Sequence, residues 1–125
     1  MRLIKFEQEE GAWAGEAQVV FPRSEKVFEG HFPHAPVVPG VTLVDAAVEI
    51  AIRATGFPLR LRSLSNAKFC SVVLPDQEVS FSFRIVPDEN TGDLMRLSGR
   101  WARGGGKVAE MQGVVARERG MDDAS

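Results

Sequence analysis

The sequence lacks the features of a secreted, membrane-spanning or nucleic-acid-binding protein. It has 125 residues and a single cysteine, Cys70, so no internal disulfide can form and nothing indicates an oxidising compartment. No apolar run approaches the ~18 residues that a membrane-spanning helix needs. The N-terminal stretch has acids where a signal peptide has its apolar core, and the net charge of -2 favours neither nucleic acid nor an anionic membrane. We therefore expect a soluble, cytoplasmic protein without a nucleic-acid or membrane partner.

Internal repeats and low-complexity linkers are also lacking, which predicts a single domain over residues 1–117. Residues 118–125 are charged or small, and we expect them to form a flexible C-terminal tail. Cys70 is expected to pack in or near the core, as free cysteines usually do.

Most of the chain alternates between apolar and polar residues with a period of two, which predicts strands with one buried face. The clearest strand candidates are residues 13–21, 78–86 and 95–103, and the weaker ones are 59–69 and 107–117. Turn-forming residues fill the segments between the last three strands, so these strands are predicted to form a meander of hairpins.

One segment is predicted to be helical, from Val41 to Ile52, where nine of twelve residues are Val, Leu, Ile or Ala. Pro39-Gly40 marks its start and Gly56-Phe57-Pro58 its end. The predicted fold class is α+β: one long central helix wrapped by a curved antiparallel sheet of about five strands. Such a sheet leaves one flank of the helix and its own edges open, which favours a symmetric dimer.

The segment before the helix is predicted to be a stiff loop that carries His31. Pro33, Pro36 and Pro39 restrict the backbone around it, so the imidazole is held in place at little entropic cost. Imidazole suits general-base catalysis near neutral pH. The alternative interpretation is a partly buried loop histidine bonded to backbone, and His34 is expected to be merely exposed.

The helix itself carries polar residues, each with two interpretations. Thr42 and Asp45 have the spacing of a capping box, but Asp45 also suits an acid in an apolar pocket, where desolvation favours the protonated form that donates a proton. Glu49 and Arg53 are expected to form an i, i+4 ion pair. Gly40 is either a turn glycine or the residue whose amide, at a helix N-terminus, stabilises a developing negative oxygen.

The stretch GHFPHAPVVPGVTLVDAA resembles the active-site signature of the hotdog-fold 3-hydroxyacyl-ACP dehydratases. That signature runs His-Phe-Pro, two residues, Pro, two residues, Pro-Gly, and then an acid fourteen residues after the histidine, which is the spacing of His31 and Asp45. Two further stretches are similar to the family: Ala67-Lys68-Phe69 with VVLPDQEVSFSF, and GGGKVAEMQGVVA. Together the similar stretches fall within a span of about 90 residues, from Gly30 to Ala116.

The resemblance implies a mechanism and a set of site residues. His31 would remove the proton α to a thioester carbonyl, Asp45 would protonate the departing 3-hydroxyl directly or through water, and the Gly40 amide would hold the thioester oxygen. The histidine and the acid of one site would come from different protomers, which implies a homodimer or a dimer-based oligomer. Further residues of the pocket would be Phe32, Pro39, Val41 and Glu49, the last standing where the family often has glutamine.

The resemblance also implies the substrate and its carrier. We expect a lyase that dehydrates a 3-hydroxyacyl thioester to the trans-2-enoyl thioester, in fatty acid or related polyketide or polyene synthesis. The acyl group would ride on the phosphopantetheine arm of acyl carrier protein, or on CoA, with no metal and no other cofactor. The alternatives are a hotdog acyl thioesterase and a non-catalytic acyl-binding module. Five arginines are either sites of attraction for an acidic carrier or ordinary outward-facing residues: Arg60, Arg62, Arg96, Arg100 and Arg103.

Overall fold

A computed structural model describes residues 2–25 and 36–118 of the chain, which contain six strands and one helix. The elements in chain order are β1 Arg2–Glu9, β2 Ala12–Val20, α1 Gly40–Thr55, β3 Leu59–Phe69, β4 Glu78–Pro87, β5 Leu94–Arg103 and β6 Gly106–Arg117. The strands form one antiparallel sheet in the order β1-β2-β4-β5-β6-β3. The expected α+β architecture is therefore confirmed, with six strands rather than about five.

The five strands predicted from the alternation are all present, and β4, β5 and β6 form the predicted meander. The residues on the inner faces of β4 and β5 are buried, as the period of two requires. They are Val79, Phe81, Phe83 and Ile85 on β4 and Met95, Leu97 and Trp101 on β5. The additional strand, β1, pairs with β2 at one edge of the sheet and is almost wholly exposed. It is held mainly by backbone pairing with β2, and Leu3 alone of its side chains packs against the core.

Helix α1 connects β2 to β3, which lie near opposite ends of the sheet, so the chain crosses the sheet through the helix. It buries one apolar side in the core shared with the sheet: Leu43, Val44, Ala46, Ala47, Ile50, Ala51 and Ala54. The helix ends as predicted at Gly56, which is left-handed (φ 77°) and donates its N–H to the Ile52 carbonyl at 2.8 Å.

Two expectations are wrong. Thr42 is not a cap, because α1 begins at Gly40 with Pro39 as N-cap and without a side-chain capping bond, so Asp45 falls beyond the first turn. Cys70 is exposed and not packed in the core. It follows directly on β3, an edge strand whose side chains are mostly open to solvent. Within the described part of the chain, no helix is long and apolar enough to cross a membrane.

Candidate active site

His31 and Phe32 lie outside the described residues, as does His34, so their proposed roles stay predictions. The structure describes the other residues of the predicted site: Pro39, Gly40, Val41, Asp45 and Glu49. All five lie at the start of α1 or along its outward face.

The N-terminus of α1 has an amide without a hydrogen-bond partner in the described part of the chain. Pro39 is extended (φ -62°, ψ 149°), and its carbonyl accepts the N–H groups of Thr42 at 3.0 Å and Leu43 at 3.4 Å. The amide of Gly40, the first helical residue, has no hydrogen-bond partner among residues 2–25 and 36–118. Because the unpaired amides of a helix N-terminus carry partial positive charge, this group is suited to bind an oxygen that gains negative charge.

An aromatic ring from β3 lies against this helix start. A Cβ atom built on Gly40 would stand 2.9 Å from Cζ of Phe69 and 3.1 and 3.2 Å from its two Cε atoms. A side chain at this position would therefore fit only if the Phe69 ring moved. Phe69 is 48% exposed, so part of the residue remains open to a ligand or partner. The sequence offered only the Ala-Lys-Phe match as a signal for this contact.

Asp45 is exposed on the outward face of α1, and it forms no hydrogen bond or ion pair within the described part of the chain. One turn further on, Glu49 and Arg53 form the predicted ion pair, with 3.6 Å between Oε1 and Nε and both side chains about half exposed. The described residues of one chain thus do not supply the apolar pocket considered for Asp45. Burying this carboxylate requires another surface against the helix.

Four exposed apolar residues lie at the helix start or in the segment that contacts it. They are Val41 (66% exposed) on α1, Phe69 at the end of β3, and Val72 (58%) and Leu74 (42%) in the loop that follows. We call these four residues the apolar rim. The rim is continuous with the core through Val73, which is buried between Val72 and Leu74 and whose carbonyl accepts the N–H of Val38 at 2.8 Å.

The five arginines expected to face outward differ in their contacts. Arg103 donates three hydrogen bonds to the loop after β3, so its guanidinium is engaged within the chain. Arg60 lies 4.0 Å from Glu118, at the limit of an ion pair. Arg62, Arg96 and Arg100 are exposed. The described residues contain no group of three or more His, Cys, Asp or Glu side chains arranged to hold a metal ion.

The sequence pattern of the ApeI-like family, described as ApeI dehydratase, matches residues 7–100. The chain belongs to this family. It is 31% identical over 100 residues to a 3-hydroxyacyl-[acyl-carrier-protein] dehydratase FabZ from Roseobacter denitrificans, an alignment that covers 78% of this chain and 61% of that protein. The chain therefore spans about three fifths of the length of that curated relative.

Solved structures confirm the hotdog fold that the sequence motif implied. One neighbour is the dehydratase heterocomplex ApeI:P from Xenorhabdus doucetiae, with a TM-score of 0.60, 21% identity, and coverage of 94% of this chain and 100% of that one. A second is a probable thioesterase from Bartonella henselae, with a TM-score of 0.61, 15% identity, and 90% of each chain covered. Because dehydratase and thioesterase neighbours superpose about equally well, the fold does not distinguish the two activities.

Proposed function

We propose that the protein dehydrates a 3-hydroxyacyl thioester, carried on acyl carrier protein, to the trans-2-enoyl thioester. The observation that carries the proposal is the Gly40 amide at the start of α1, which no described residue pairs with, ahead of a carboxylate, Asp45, on the same helix. Membership of the ApeI-like dehydratase family and the similarity to FabZ proteins support it. The reaction needs no metal or redox cofactor.

Each proposed residue has one role in the reaction. His31 takes the proton from C2 of the substrate, and the Gly40 N–H stabilises the thioester oxygen as it gains enolate character. The electrons left at C2 form the C2–C3 double bond and expel the 3-hydroxyl, which leaves as water with the proton of Asp45. The proton on His31 then returns to Asp45, directly or through solvent, and both groups are ready for the next turnover.

The active species in this proposal is a homodimer or a dimer-based oligomer. Three features of the described chain support it: the exposed Asp45, the apolar rim, and the edge strand β3, whose 11 residues are mostly exposed. A second copy covering α1 and β3 would shield the acid from water and contribute its own histidine loop. Light scattering on the purified protein tests this, because a strictly monomeric and active protein would contradict it.

The proposal also includes a carrier, a compartment and a pathway. The phosphopantetheine arm of a carrier protein, or of CoA, would enter along the apolar rim toward Gly40. Val41 and Glu49 would line its path together with Pro39 and Phe32. We place the protein in the cytoplasm, in fatty acid synthesis or in a related polyketide or polyene pathway.

The decisive experiment is to incubate the protein with 3-hydroxyacyl carrier protein and follow the acyl chain by mass spectrometry. Loss of one water from the acyl chain, abolished in His31→Ala and in Asp45→Asn, is the expected result. Glu89→Gln is the matched control, because it neutralises an exposed acid in the turn between β4 and β5. Release of the free acid would identify a thioesterase instead. Binding without turnover at several chain lengths would identify an acyl-binding module.

A further inference from the structure

The guanidinium group of Arg103, at the end of β5, fastens the loop between β3 and β4. Nη1 donates to the Val72 carbonyl at 2.6 Å and to Oε1 of Gln77 at 3.3 Å, and Nη2 donates to the Ser71 hydroxyl at 3.0 Å. Oε1 of Gln77 also accepts the N–H of Leu74 at 3.0 Å. Arg103 therefore links the beginning of this loop to its end.

The same loop and the last residue of β3 contact the start of α1 at two points. The Val73 carbonyl accepts the N–H of Val38, two residues before the helix, and both residues are buried (1% and 6% exposed). The ring of Phe69 lies against Gly40. These two attachments flank Ser71 and Val72, the residues that Arg103 holds.

The contacts of Arg103 are not those of an ordinary surface ion pair. All three acceptors are neutral oxygens, and within the described residues no carboxylate lies within ion-pair distance of this guanidinium. A planar guanidinium presents several donors in a fixed geometry, whereas a lysine ammonium is a compact charge on a flexible stem. The contacts of Arg103 thus depend on the planar arrangement of its N–H donors more than on its charge.

We propose that Arg103 is a positioning residue for the site at the start of α1. It holds Ser71 and Val72, these residues fix Phe69 and Val73, and Phe69 and Val73 fix Gly40 and Val38. The inference rests on the proposed function, in which the Gly40 amide receives the thioester oxygen. Because displacing a reacting group by about 1 Å can cost up to roughly 100-fold in rate, loosening this chain of contacts should act on turnover.

The kinetic test compares Arg103→Ala with Arg100→Ala. Arg100 lies three positions earlier on β5 and is exposed, so its variant makes the same change in charge without touching the loop. Arg103→Ala should lower kcat by roughly 10- to 100-fold with both a carrier-bound and a small soluble thioester, while KM changes little. Arg103→Lys keeps the positive charge but loses the planar arrangement of donors, so its kcat should lie between those of Arg103→Ala and the parent protein. An effect confined to KM for carrier substrate, and shared by Arg100→Ala, would overturn the proposal in favour of carrier attraction.

Hydrogen exchange of the Val38 amide tests the role of Arg103 independently of whether the protein catalyses dehydration. In Arg103→Ala this amide should exchange at least about tenfold faster than in the parent protein, and in Arg100→Ala it should not. Unchanged Val38 exchange in Arg103→Ala, or faster exchange with kcat unaffected, would overturn the role of Arg103. A parent protein that dehydrates no thioester would instead overturn the proposed function, and Val38 exchange would still decide whether Arg103 fixes the helix start.

Discussion

Replacing Gly99 with alanine is expected to destabilise the fold by about 1–3 kcal/mol, the usual cost of overpacking a core. Gly99 lies on the inner face of β5, opposite Phe83 on β4. The Phe81 ring covers it so closely that an added Cβ would overlap Cζ and Cε1 of that ring and lie 3.1 Å from Cε2. The space for this ring therefore exists only because residue 99 has no side chain.

The Phe81 ring cannot move aside without disturbing its neighbours. It is fully buried, and its centroid lies 4.6 Å from that of Trp101 and 6.0 Å from that of Phe83. Interiors packed this densely relax only partly, so the strain would spread through the aromatic cluster. Gly92 is the matched control, since a Cβ there meets nothing within 4 Å.

Urea denaturation measures the free energy of unfolding of both variants at one fixed protein concentration, because assembly would contribute to apparent stability. For a chain of this length, about 4 °C of melting temperature corresponds to 1 kcal/mol, so Gly99→Ala should melt roughly 4–12 °C below the parent. Gly92→Ala should stay within about 0.5 kcal/mol of the parent. If Gly99→Ala also stayed within that margin, the argument that Phe81 is locked would be wrong.

Three other substitutions test the helix and the sheet surface. Gly40→Ala should leave the free energy of unfolding within about 1 kcal/mol of the parent, because the half-exposed Phe69 ring beside it can swing away. The same variant should slow dehydration. Glu49→Gln removes the ion pair with Arg53 and should cost at most ~0.5 kcal/mol in denaturation at low salt, and less at high salt. The hydrogen bond and charge of Lys107 lower the pKa of Glu110 from its ordinary value of 4.5. The resulting stabilisation is complete above pH 4.5 and is lost as pH falls through the lower folded-state pKa, so Glu110→Gln should flatten stability in that acidic range when unfolding is followed against pH.

Local patterns were sufficient to predict the central strands and the helix. Alternation identified the buried face of β4 and β5, because a strand with one face in the core must repeat with a period of two. The apolar run after Pro39-Gly40 identified α1, and Gly56 marked its end. These predictions depend only on neighbours in sequence.

Strand β1 was not predicted because its side chains do not show the pattern of a strand with a buried face. Its residues are almost all exposed, so no buried face imposes alternation. The turn that joins it to β2 consists of Glu10 and Gly11, both with positive φ (53° and 80°). Asparagine or aspartate before glycine is the usual signal for such a turn, and glutamate is not.

The contacts around the candidate site were predicted only where a family motif marked the residues. Gly40 and Asp45 belong to that motif, but the Phe69 ring over Gly40 and the Val38–Val73 hydrogen bond join segments about 30 residues apart. The three bonds of Arg103 likewise span 26 to 32 residues. Such contacts follow from the register of the sheet, which sequence periodicity alone does not fix.

The exposure of Asp45 sets the strongest condition on the proposed mechanism. A carboxyl group that delivers its proton to a leaving hydroxyl has to be shielded from bulk water, since water would otherwise compete for that proton. The described residues of one chain leave the outward face of α1 open, and they leave the apolar rim and edge strand β3 open beside it. One covering surface would shield the outward face of α1, the apolar rim and strand β3 together. In the proposed mechanism Asp45 acts as an acid only when α1 is covered, and the proposed dimer would provide that cover.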